Sequence, residues 1–268
     1  MRGSRAGALG RLTLLLLVIV TATQCQASAP TIPPNLLWAE RLVPELTPAK
    51  NVYGSHPTYV VWSEDGKGVA RNRSVCSSFV SHDMVRAYGW SHDDFIARFG
   101  RLNPQAKDYH DAIVAGRGFT RVLHVTDIEP GDVLAISYGP GSRPTGHVLQ
   151  ADTPARPHAA TTPLEPNTTQ YEIAVIDSAN SGHGLEDTRY EGNGKYTTGV
   201  GRGTFRLYAG PSGEIAGYSW STRSVSVFYS SPARDLVVGR YSTAAFTPAP
   251  VGTTGSGSDD GILPGAEQ

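Results

Sequence analysis

The chain has 268 residues, 39% of them hydrophobic, with 23 Lys+Arg against 24 Asp+Glu. That is enough apolar material for the core of one good-sized domain or two small ones, and it excludes a disordered chain and a membrane bundle. The charge balance is close to neutral, so the basic footprint of a nucleic-acid binder is not expected.

Arg2, Arg5 and Arg11 precede the apolar run LTLLLLVIVTA from Leu12 to Ala22, and CQASA then offers small residues at alternate positions. This is the pattern of a secretory signal peptide over residues 1–29, cleaved after Ala27 or Ala29, which makes the expected location the exterior or the periplasm. The run is far shorter than the roughly 20 residues of a spanning helix, and no membrane span is expected further on. A lipid anchor on Cys25 is the competing reading, but Gln24 is bulky where such signals want Gly, Ala or Ser. Without residues 1–29, Lys+Arg falls from 23 to 20 against 24 Asp+Glu, a net charge of −4. One cysteine, Cys76, then remains, and no internal disulfide is possible.

Residues 30–50 are a Pro-rich segment expected to wrap over the surface of a domain at 51–241. Residues 242–268, with TTGSGSDDG, have the composition of a disordered tail. Within the domain, Ser74 is placed to cap a helix whose Cys76, Phe79, Val80 and Ala87 share a face and which ends before Gly89. Ser91 with Asp94 forms a capping box for a short helix stopping at Gly100. NPQAKDYHDAIVAG supplies an Asn103 cap, Pro104 at the first helical position and a terminal Gly116. From Thr120 the pattern changes to short runs broken by Gly, Pro and Ser: TRVLHV, DVLAISY, GHVLQAD, YEIAVIDSA, GTFRLYAG, IAGYSWS and SVSVFYS. Strands without intervening helices give an antiparallel sheet. The fold class is therefore α+β, with N-terminal helices packed on one side of a meandering antiparallel sheet.

Cys76 sits at a helix start, among unpaired N–H groups and at the positive end of the helix dipole, where thiolate is favoured over thiol. The plainer alternative is a small buried hydrophobe. An unpaired thiol in an oxidising compartment is a liability unless it is used. Its base can lie far away in sequence. His147 opens the strand HVLQ directly after GPGSRPTG, at a sheet edge beside a gap. Asp177 ends the next strand and can face it, fixing the imidazole tautomer as in Cys-His-polar triads. A solvated strand-end histidine and a turn-capping acid are the alternatives. Arg189, in the long polar Gly-rich segment after Asp177, is placed to receive a substrate carboxylate, if that segment is more than a surface loop. GVGRG lacks a strand-turn-helix setting and is not a phosphate loop.

In order and spacing, CSSFV at a helix start, DIEPGDVLAI leading into a strand and GHVLQA opening the next resemble the NlpC-type cysteine peptidases of papain-like fold. Their usual pattern is Cys-Ser-Gly-Phe-Val, then Pro-Gly-Asp before a strand, then Gly-His-Val, and the resemblance covers about Tyr59 to Asp177. It implies Cys76 as nucleophile, His147 as base and Asp177 as the third residue, with Tyr59 matched to the tyrosine of the oxyanion site. Backbone N–H groups near Cys76, at Ser77 among others, would complete that site. Three positions depart from the pattern: Ser78 stands for Gly, Val75 for Asp, and the third residue is acidic. The implied activity is a secreted cysteine hydrolase cleaving peptide or amide bonds, with bacterial cell-wall peptides as substrate, no cofactor, no metal and a monomeric state. A catalytically silent wall-binding domain on the same scaffold is the alternative. A metal site built from His147, Asp177 and His183 has no short ligand spacing to support it.

Overall fold

Two prolines begin the first helix. The computed structural model describes residues 32–242 except Lys67, so the expected signal peptide and most of the expected tail lie outside the described residues. In α1 (Pro34–Glu45), Pro34 occupies the first turn, where its missing N–H has no helical partner to lose, and Pro44 lies in the last turn. Leu36, Ala39 and Leu42 recur at helical spacing and are fully buried against α2. The Pro-rich segment is thus a docked helix and not a surface wrap, because its apolar stripe outweighs its proline content.

The strands β1 (Asn51–Tyr53), β2 (Tyr59–Val61) and β3 (Arg71–Ser74) form a small sheet in which β3 is central, parallel to β1 and antiparallel to β2. Next, α2 (Cys76–Tyr88) starts without help from Ser74, whose hydroxyl donates instead to Asn72 Oδ1 at 2.6 Å. Ser78 does the capping: its Oγ accepts from the Val75 amide at 2.9 Å. Ser91 and Asp94 cap α3 (His92–Phe99) reciprocally as expected, and Gly89 and Gly100 close α2 and α3 with φ of 67° and 72°. The fourth helix, α4 (Ala106–Val114), begins after the expected Asn103 and Pro104, because Asp108 returns to the Gln105 amide at 2.8 Å.

The remaining strands are β4 (Phe119–Val122), β5 (Val133–Ser137), β6 (Gly146–Ala151), β7 (Arg156–Pro157), β8 (Thr169–Ala179), β9 (Tyr190–Gly192), β10 (Lys195–Tyr196), β11 (Gly199–Ala209), β12 (Ile215–Ser219) and β13 (Asp235–Tyr241). The main sheet runs β12-β11-β8-β6-β5-β13-β4, with β7 beside β8, and every pairing in it is antiparallel. The fold is α+β with four α-helices among the described residues. SVSVFYS is not one of the strands: only Tyr229 bridges to Tyr218, while Val225 and Val227 are 71% and 58% exposed. DLVVGRY takes the place between β5 and β4.

The sheet curls until its edges meet, with Ile215 N donating to the Leu123 carbonyl at 3.3 Å and His124 bridging Glu214. Side-chain alternation then separates two cores. Val133, Ala135, Val148, Ile176 and Val237 face Phe79, Met84, Tyr109 and Ile113 of the helices. Leu134, Ile136, Leu149, Val175, Phe205 and Val238 fill the inside of the curl. The helices cover one face as expected, but the other face encloses a core of its own. By the same alternation His147 points the way of Leu149, and Asp177 the way of Val175.

A buried polar chain ties α1, α2 and β6 together. Tyr88 OH donates to Asn35 Oδ1 at 2.7 Å, Asn35 Nδ2 to Gln150 Oε1 at 2.7 Å, and Gln150 Nε2 to Asp83 Oδ2 at 2.9 Å. Asp83 Oδ1 is buried without a partner, and burial holds this carboxyl well above its ordinary range despite the Gln150 hydrogen bond. Its surroundings therefore favour the neutral form. A carboxyl raised in the folded state supports stability fully below its unfolded value near 3.8, and that support is lost as pH rises, by up to about 1.4 kcal/mol per pH unit. Asp83→Asn, which copies the neutral acid, is expected to raise the melting temperature at pH 7 and flatten its fall towards alkaline pH. An unchanged pH profile would show that Asp83 is not the group responsible.

Candidate active site

Cys76 is the first residue of α2 and is 5% exposed. Burial pushes its thiol up, but the charge and hydrogen bond of His147 and a hydrogen bond from the Val148 amide outweigh it, and the thiol lies below its ordinary value. His147 shows the complementary shift. Although burial opposes its charge, the Cys76 charge and the Asp177 hydrogen bond raise the imidazole to about 10. His147 Nε2 lies 2.5 Å from Asp177 Oδ2, which leaves Nδ1 for the thiol. The two opposite shifts favour thiolate and imidazolium over the neutral pair.

Asp177 is completely buried, and its neighbours keep it ionised. Burial alone would raise it, but the charges of Arg189 and His183 and the hydrogen bonds of His147 and His183 hold it well below the usual carboxylate range. Every N–H of Arg189 has a protein acceptor. Nε donates to Asp187 Oδ1 and Nη2 to Asp187 Oδ2 and Asp177 Oδ1, each at 2.9 Å, while Nη1 donates to the Gly199 and Asp177 carbonyls at 3.0 and 3.5 Å. Arg189 is therefore not the receptor for a substrate carboxylate that its sequence position suggested: it is 2% exposed and has no donor left. It clamps the third residue of the site instead.

His183 is the second support of Asp177. Its Nε2 reaches Asp177 Oδ2 at 3.0 Å, its Nδ1 the Trp220 carbonyl at 3.0 Å, and its backbone amide donates to Asp187 Oδ2 at 2.7 Å. The metal alternative drew on His147, Asp177 and His183, and the fold does bring them together. Their ring nitrogens face the carboxylate in hydrogen bonds, and no cluster with metal-holding geometry occurs among the described residues. The polar segment after Asp177 is more than a surface loop: His183, Asp187 and Arg189 are all buried. Glycines at alternate positions of β11 admit it. A Cβ on Gly201 would stand 2.5 Å from Arg189 Nε, and one on Gly203 2.3 Å from Asp187 Oδ2. GVGRG already carried this signal in the sequence, as glycines spaced to bare one face of a strand.

The tyrosine beside the thiol is Tyr53, not Tyr59. Both flank β3, but Tyr53 is in register with Ser74, two residues before Cys76, and hydrogen-bonds to the Cys76 side chain. Tyr59, paired with Arg73 on the other edge, lies under the Arg71 guanidinium at 5.9 Å. No motif in the sequence separates the two tyrosines, since the choice depends on a parallel pairing. Ser77 is buried, and its carbonyl accepts from Ser81 Oγ at 2.9 Å. As a first-turn residue, its amide has no acceptor within the helix. A cleft of about 260 Å³ opens beside His147, lined by Tyr53, Tyr138, His147, Asn180, His183 and Trp220 among others. The Trp220 ring meets His147 edge-on at 5.2 Å and stacks on His183 at 5.9 Å.

The chain is 32% identical over 220 residues to "Uncharacterized protein R653" of Acanthamoeba polyphaga mimivirus, across 78% of this chain and 96% of that protein. It belongs to the same family. No family model and no solved structure matches the chain. Among the described residues no helix is long and apolar enough to cross a membrane.

Proposed function

We propose that the protein is an exported cysteine hydrolase of papain-like, NlpC type that cleaves peptide or amide bonds, with bacterial cell-wall peptides as its substrate class. The observation that carries this reading is the unbroken chain from Cys76 through His147 to Asp177, clamped by Arg189. The thiolate attacks the carbonyl carbon, the oxyanion is held by first-turn amides of α2, and the protonated His147 gives its proton to the leaving amine. His147, now neutral, deprotonates a water that hydrolyses the thioester and restores the pair. Asp177 stays ionised throughout and stabilises the imidazolium. The substrate class comes from the NlpC resemblance of the CSSFV, PGD and GHV motifs.

The test is to incubate the purified protein with soluble cell-wall fragments and identify products by mass spectrometry, with Cys76→Ser as control. New amine and carboxylate termini that the variant fails to produce are the expected result. Binding of fragments with no products from either protein would favour the catalytically silent wall-binding alternative and overturn the hydrolase reading.

A further inference from the structure

His183 has a hydrogen-bond acceptor at each end of its ring. Nδ1 lies 3.0 Å from the Trp220 carbonyl, which can only accept, so Nδ1 carries a hydrogen. Nε2 lies 3.0 Å from Asp177 Oδ2, the oxygen that also faces His147 Nε2 at 2.5 Å, and Arg189 Nη2 donates to the other carboxylate oxygen at 2.9 Å. Asp177 is held ionised, so each of these three contacts needs a hydrogen on its nitrogen. A neutral His183 would aim a lone pair at the carboxylate. A ring that donates from both nitrogens is an imidazolium.

Two further observations agree. The Trp220 ring stacks on the His183 ring with centroids 5.9 Å and planes 22° apart, a contact that favours a cation over a neutral ring. Charge also balances: Cys76, Asp177, Asp187, His147, Arg189 and His183 are all buried, and with Cys76 as thiolate they are three anions and three cations. A neutral His183 would leave one uncompensated negative charge out of water. The groups facing the ring are Asp177 of β8, the Trp220 indole and carbonyl just after β12, and the uncharged Phe205 of β11 at 6.0 Å, while on its own segment Asp187 accepts from the His183 amide.

We propose that His183 is a standing imidazolium of the site and a positioning residue, whose two N–H groups tie the Asp177 carboxylate to the Trp220 backbone. In the proposed hydrolysis His147 gives up its proton and regains it, whereas His183 keeps its own and so holds Asp177 in line. The protonation state is testable without turnover.

The test is a long-range proton–nitrogen correlation spectrum of the protein carrying isotope-labelled histidine, at pH 7.5, where an ordinary imidazole with a value near 6.5 is about nine-tenths neutral. His183 is assigned by the signals that His183→Gln loses or, if that variant does not fold, through its own backbone amide. Both ring nitrogens are expected to carry hydrogens, and one bare nitrogen overturns the proposal. Melting temperature gives a second measurement, of opposite sign for the two states. A histidine charged in the folded chain supports stability fully below the unfolded value near 6.5, and that support is lost as pH rises. The gap between wild type and His183→Gln is therefore expected to be widest near about pH 5.5 and to narrow towards about pH 8. A gap that is flat or widens with pH, as for a histidine buried neutral, overturns the proposal. Cell-wall fragments left uncut by a protein whose His183 is doubly protonated remove the hydrolase reading and leave this assignment in place.

Discussion

Cys76 is expected to alkylate well below the roughly 8.5 at which a free thiol ionises, and His147→Ala is expected to abolish that advantage. The two forces on the thiol are opposed: burial pushes it up, and the His147 charge and hydrogen bond, with the Val148 amide, pull it down. Removing the imidazole leaves burial less opposed, so the thiol of the variant should ionise above its ordinary value. Each unit of that change is tenfold in thiolate at neutral pH, so iodoacetamide should react at least about tenfold more slowly at pH 7. The wild-type profile should change a second time near pH 10, where His147 loses its proton and the ion pair becomes a thiolate beside a neutral ring. Alkylation followed by mass spectrometry from about pH 5 to 11 measures both steps, and Cys76→Ser assigns the signal. A wild-type midpoint at or above 8.5 that His147→Ala leaves in place would reduce Cys76 to a core thiol.

That Cys76, His147 and Asp177 could meet was legible in the sequence because each stands where local structure announces it, at the start of α2, at the start of β6 and near the end of β8, which runs two residues beyond the expected end at Asp177. Their meeting follows from β6 and β8 being neighbours, with Gln150 opposite Ile176. The departures from the NlpC pattern also have local answers. With Val75 at the cap position there is no side-chain acceptor, and Ser78 supplies the capping oxygen in the same turn. What stayed hidden depends on contacts remote in sequence. Tyr53 reaches the thiol through the one parallel pairing of the small sheet, and α1 is a helix because its stripe finds α2. SVSVFYS alternates as a strand should, yet its valines point into solvent, because alternation without a pairing partner does not make a strand. Arg189 looked like a surface cation because the two carboxylates that enclose it, Asp177 and Asp187, come together only when the segment folds back onto β11.

Arg189→Ala is expected to be the most destabilising substitution in the site. Its guanidinium neutralises two carboxylates, Asp177 and Asp187, whose side chains are fully buried. Removing one member of a buried ion network leaves uncompensated charge, at about 3–5 kcal/mol. For a domain of this size that is a fall in melting temperature of roughly 10 °C. The pH dependence identifies the cause. Asp177 is depressed in the folded state, so its contribution is present above its unfolded value near 3.8 and is lost as pH falls through the folded value. Without Arg189 the folded carboxyl rises, and acid protonation relieves the buried charge. The gap between wild type and variant should therefore be widest near neutrality and narrow towards about pH 4. Arg189→Lys keeps one charge but cannot bridge both carboxylates, so it should recover part of the stability. If it leaves His147 poorly anchored, the Cys76 alkylation midpoint should also move upward, a readout that a purely structural arginine would not change. Equal melting temperatures for wild type and Arg189→Ala at pH 7 would mean that Asp177 is not held as an ion, and the clamp would lose its role.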